Sequence, residues 1–145
     1  MQLFKKVIQS PLILLLMLVT NSVSASETLI NTKWVYDHGF GCVTTITFLD
    51  DKRYVLESAE QFVIKEYELS RYSDTKYYLL EQRTEANNNQ LSCSGIKAGR
   101  IGSIQRAYIK FSLDGMKLTF SPKPSEDSPV KVVYEKQPLA TNNSN

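Results

Sequence analysis

The chain has 145 residues, 42% of them hydrophobic and 22% charged, with a formal net charge of +2. That length suits one domain plus a targeting segment, and an aromatic share of 10% is ordinary for a chain that folds around a core, which excludes intrinsic disorder. Two cysteines and a single histidine exclude zinc ribbons and His-rich clusters, so neither a metal nor a cofactor is expected.

Residues 1–25 read as a secretory leader. Lys5 and Lys6 precede an unbroken apolar run from Leu12 to Val19, and Val23-Ser24-Ala25 places small side chains where a signal peptidase cuts. A membrane-spanning helix needs about 20 apolar residues, and Gln9, Ser10 and Pro11 interrupt any longer run. The expected mature protein begins after Ala25 and is exported, to the periplasm or beyond, with no stable membrane insertion. Loss of Lys5 and Lys6 leaves the basic residues equal in number to the 15 acidic ones. A neutral mature chain excludes a general affinity for nucleic acid.

Export places Cys42 and Cys93 where thiols are oxidised. With two cysteines, one intramolecular pairing is available, and closing so long a loop stabilises the fold by roughly 4 kcal/mol in the chain-entropy picture. A nucleophilic thiol would need a base beside it, and the one histidine, His38, sits in a strand-rich stretch where its spacing from Cys42 need not bring them together. A disulfide is the expectation.

From Trp34 onward a period of two recurs, and no stretch shows helical spacing. Strands are predicted at 34–36, 42–49, 54–56 and 62–69, and again at 77–80, 108–111, 116–120 and 130–134. Asp50 to Arg53 forms a polar turn, Asp114-Gly115 is a hairpin signal, and Pro122, Pro124 and Pro129 mark a loop. Residues 138–145 form a polar, loose tail to a domain spanning 26–137. About eight strands at this spacing give an all-β fold: a single small antiparallel up-and-down barrel, or a β-sandwich, which shares the alternation.

A meander that opens on a tryptophan resembles the lipocalin-like, or calycin, barrels. Their first strand begins with Gly-x-Trp, and here Thr32-Lys33-Trp34 stands in that place. The Asp50–Tyr54 turn and the Tyr108–Phe120 hairpin extend the resemblance over residues 30–135. It implies a barrel sealed at one end by Trp34, with a cavity at the other mouth for a small apolar molecule and no catalysis.

From Thr84 to Gln105 the strand pattern stops for about 22 residues, longer than the ~12–15 usual in compact domains. No acidic residue occurs between Glu85 and Asp114. One reading is a glycine-hinged basic lid, with Gly95, Gly99 and Gly102 as hinges and Lys97, Arg100 and Arg106 contacting a ligand or partner. In the other, part of the stretch at 101–104 is a further short strand and the charges are a solvated face. Gly95-Ile96-Lys97-Ala98-Gly99-Arg100 does not match a phosphate-binding P-loop.

Catalytic constellations are missing from the sequence. His38 follows Asp37, but no Gly-x-Ser-x-Gly elbow and no matched carboxylate pair accompanies it. Two non-enzymatic functions remain. The first is an exported binding protein holding a small apolar or anionic molecule, with Trp34, Phe48, Ile64 and Tyr108 lining its pocket. The second is an inhibitor or immunity-type protein that acts on a cell-envelope enzyme through the basic loop 84–105.

Overall fold

The computed structural model describes residues 25–139. Residues 1–24 of the expected leader and residues 140–145 of the expected tail lie outside the described residues. Eight strands follow a short helix, α1 (Ala25–Leu29): β1 (Thr32–Asp37), β2 (Val43–Phe48), β3 (Arg53–Ser58), β4 (Gln61–Arg71), β5 (Tyr78–Asn87), β6 (Ile104–Phe111), β7 (Lys117–Ser121) and β8 (Val132–Gln137). Each pairs antiparallel with the next, and β8 returns to β1 through Lys33↔Gln137, Trp34↔Lys136 and Val35↔Glu135. The sheet is thus a closed up-and-down barrel and not a sandwich, and closure leaves no free edge.

Alternation sets what points inward. Trp34 on β1, Ile46 and Phe48 on β2, Tyr54 on β3 and Tyr67 on β4 are buried, as are Leu80, Ile109 and Leu118 on β5, β6 and β7. These residues fill the end of the barrel where the chain enters. The rings of Phe48 and Tyr54 lie 5.3 Å apart and those of Phe48 and Tyr67 5.2 Å apart. Leu29 of α1 is fully buried against them and plugs that end. A five-residue helix is too short to show a period, so the sequence does not announce it. Asn31, at φ 54°, turns the chain from the plug into β1.

Thr32 explains how this barrel manages without the glycine that the resemblance expects. Its hydroxyl donates to the Leu29 carbonyl and accepts the Trp34 indole N–H at 2.8 Å. The ring is thereby held across the barrel floor, with the Lys136 ammonium 5.7 Å from its centroid.

β5 runs on through Thr84, Glu85, Ala86 and Asn87, where the sequence pattern suggested a loop. Ladder hydrogen bonds need no apolar side chain, and the eleven-residue β4 offers a partner along that length. The true connection is 88–103. Residues 101–103 make a turn, closed by Ser103 N donating to Arg100 O at 2.9 Å, and β6 begins only at Ile104. Similarly, Val130 and Lys131 belong to the preceding loop and β8 starts at Val132.

Candidate functional site

Four connections gather at the end opposite the plug: 38–42, 59–60, 88–103 and 122–131. Beneath them lies a cavity of about 310 Å³ that opens to solvent at the barrel mouth. Its wall rises from β1 (Tyr36), β2 (Thr44), β3 (Leu56, Ser58), β4 (Gln61, Val63, Lys65), β6 (Gln105) and β8 (Val132, Tyr134), with His38 at the rim. Ser92, Ser94 and Ile96 to Gly99 form the roof. Depressions of about 180 Å³ between Glu66, Glu81 and Arg83, and of about 450 Å³ along Val35, Asp37, Val133 and Glu135, lie on the outer face of the strands instead.

The roof is clamped rather than hinged. Cys42 and Cys93 form a disulfide with their Cα atoms 5.7 Å apart, tying it to the end of the β1–β2 loop. The Cys93 N–H donates to Ser58 Oγ at 3.0 Å, and the Gln61 amide donates to the carbonyls of Gln90 and Ile96 at 3.2 and 3.0 Å. A register shift between β4 and β5 leaves Glu85 unpaired and places Asn87 opposite Val63, on the inner face. From there its amide donates to Gly99 O at 3.1 Å. Within the roof, Leu91 pairs with Lys97, and Gly95 at φ 73° makes the turn between them. These bonds replace the expectation of a glycine-hinged lid.

One wall carries a polar chain. His38 Nε2 and Thr44 Oγ1 are 2.8 Å apart, and Thr44 Oγ1 and Ser58 Oγ are 2.6 Å apart. Asp37 does not join it: its Oδ1 accepts the Gly39 N–H at 2.7 Å. Tyr134 also faces the cavity, and burial, reinforced by the neighbouring Tyr36, pushes its phenol up to about 12. It is a neutral donor at any physiological pH.

The most unusual member is Lys65. Only 7% of it is exposed, and its ammonium donates to Gln105 Oε1 at 2.6 Å. The cavity lining contains no carboxylate, and none of the ion pairs among the described residues involves Lys65. Burial pushes this ammonium down to about 8. Its cross-strand partner Thr84 is 1% exposed, and the Thr84 hydroxyl has no hydrogen-bond partner.

Lys65 therefore destabilises the fold. The folded chain disfavours the charged amine while the unfolded chain does not, so at neutral pH the group lowers stability; the penalty fades as pH rises from about 8 towards 10.5. Lys65→Met is expected to raise the unfolding free energy at pH 7 by about 2–3 kcal/mol. The gain should shrink over that alkaline window in denaturant titrations. A destabilised Lys65→Met protein at pH 7 would contradict this account.

The predicted site residues divide. Lys97 borders the cavity roof, and Arg100 lies on the exposed side of the loop. Arg106 sits on the outer face of β6, where its Nε meets Glu81 Oε2 at 2.8 Å. Trp34 and Phe48 are interior but packed into the plugged end, below the cavity. Ile64 and Tyr108 alternate outward, because Val63 and Lys65 on one strand and Ile109 on the other take the inner positions; Tyr108 packs edge-on against Tyr72 instead, with ring centroids 4.9 Å apart. Missed entirely were Ser58, Gln61, Lys65 and Gln105. One signal was present: Val63, Lys65, Tyr67 and Leu69 share a phase, opposite to Glu66 and Glu68.

Fold and site together define a small closed eight-stranded antiparallel barrel with a cationic cavity under a disulfide-tethered roof. No protein-family model, curated protein or solved structure matches the chain.

Proposed function

We propose that this chain is an exported, non-catalytic binding protein that holds one small molecule in the cavity at the barrel mouth. The observation that carries the reading is the cavity itself: about 310 Å³ between the strands and a clamped roof, open to solvent at the mouth and within the range of small-ligand sites. A barrel evolved for packing alone would fill that end as it fills the other. Export accords with the leader-like first 25 residues and with the disulfide. The lipocalin-like resemblance accords with the strand order, the plugged floor and Trp34. An aqueous setting accords with the charged outer face at Glu66, Glu68, Arg83 and Arg106. A non-catalytic role accords with the pairing of His38 to Thr44 rather than to an acid.

A second reading, capture of a cell-envelope enzyme, is favoured by the apolar tips around the mouth. Phe40 is fully exposed at φ 56°, and Ile96 and Ile101 are 65% and 68% exposed beside Lys97 and Arg100. Native mass spectrometry of the protein purified from its exported fraction separates the two. A mass above the disulfide-bonded chain by a small-molecule increment is the expected result. A co-purifying protein at fixed stoichiometry would favour the second reading and count against the first.

A further inference from the structure

We propose that the cavity selects a small amphiphile with a single carboxylate, whose head group sits on the Lys65 ammonium and the Gln105 amide and whose apolar body lies along Leu56, Val63 and Val132. This rests on the binding reading above and names the ligand class for it. Lys65 is a buried cation with one neutral acceptor and no anion, in a cavity whose wall contains no acidic side chain. Such a charge is expensive unless something negative completes it, and nothing in the chain does so among the described residues.

The geometry favours a carboxylate in particular. Gln105 turns its carbonyl oxygen to Lys65, which leaves its N–H₂ free to donate. One ammonium and one amide present donors to the two oxygens of a planar monoanion, whereas a phosphate dianion would need more positive charge than one lysine supplies at that depth. Lys97 stands further out, in the roof, and favours entry of an anion by its sign. The cavity has room for roughly ten water volumes at ~30 Å³ each, which matches a ligand of about ten non-hydrogen atoms.

The charge of Lys65 makes the selection pH-dependent. Groups that face it are Tyr54 and Thr84 from the flanking strands and Gln105 from β6, with Tyr36, His38, Lys97 and Tyr134 sharing the cavity. The tyrosines at 54 and 134 are held neutral by burial. A bound anion favours the charged amine, so binding takes up a proton above about pH 8 and weakens as pH rises.

The test is calorimetry with octanoate and octan-1-ol, which have the same apolar tail and differ in the head. At pH 7.5 the wild-type protein is expected to bind octanoate at least tenfold more tightly than octanol. Raising the pH to 9.5 should weaken octanoate at least tenfold and leave octanol unchanged. Lys65→Met should retain octanol binding, lose the preference for octanoate and show a flat pH profile, which separates Lys65 from His38 and Lys97. Equal affinities for the two probes in the wild-type protein would overturn the carboxylate assignment while leaving the cavity a binding site. A preference that survives in Lys65→Met would also overturn it. Binding of neither probe would remove both the assignment and the cavity reading beneath it. The wild-type pH profile decides the matter even if the variant fails to fold.

Discussion

Replacing Trp34 by alanine is expected to lower the unfolding free energy by about 3–5 kcal/mol, the usual loss for a buried tryptophan. The indole is fully buried on the barrel floor, tilted against Phe111 with ring centroids 6.3 Å apart. Its removal leaves a cavity bounded by rigid strands, because β1 is paired on both sides, to β2 and to β8. It also deprives Thr32 of the indole N–H and Lys136 of the ring it covers. Trp34→Phe keeps most of the apolar area and should lose only about 1–2 kcal/mol, dominated by the missing hydrogen bond. Urea titrations of both variants give the comparison. A Trp34→Ala loss below 1 kcal/mol would mean that α1 and the floor do not depend on the ring.

Removing the disulfide comes next in size. The Cys42→Ala/Cys93→Ala double variant is expected to lose about 4 kcal/mol, because the link closes 51 residues of sequence separation. For a domain of this size that corresponds to a fall in melting temperature of roughly 10–20 °C. Removal also has a local effect. The roof would then be held by the bonds of Ser58, Gln61 and Asn87 to the loop backbone, and at its two ends by those of Asn88, Gly102 and Ser103 to the strands. Hydrogen exchange at the backbone amides of position 93 and of Ile96 should therefore rise by more than the global loss of stability explains. If exchange there follows global unfolding and nothing more, the side-chain clamps hold the roof without the disulfide.

The barrel was largely legible because its rule is simple. Thr44, Ile46 and Phe48 alternate with Val43, Thr45 and Thr47, and a strand with one buried face must show that pattern. Turn chemistry did the same for Asp50 and for Asp114-Gly115, whose carboxylates accept backbone N–H groups of the residues that follow. The phase was harder. Phe62-Val63-Ile64 is apolar throughout, so alternation alone does not say that Val63 faces in and Ile64 out. The same ambiguity at Tyr108-Ile109 assigned the wrong neighbour to the interior.

The site was hidden for a physical reason. Ser58, Gln61, Lys65 and Gln105 are polar, and polar residues in a half-buried strand read as its solvent face. At the mouth that rule reverses, since the inner face there meets a cavity rather than a core. The extension of β5 was masked likewise, because Thr84 and Asn87 look like loop residues yet continue the ladder to the roof. Only the sharing of one phase by Lys65 and Tyr67 pointed inward.

In the proposed function, the cavity beneath the 88–103 roof receives a small molecule. The most direct measurement is an amide-and-side-chain NMR titration of the disulfide-bonded protein with octanoate. Shifts are expected at Ser58, Gln61, Lys65, Ile96 and Gln105 only, with a large change at the Lys65 ammonium and none at Trp34 or Phe48. Shifts centred on the outer faces of β4 to β6, or on the tips at Phe40 and Ile101 alone, would contradict it.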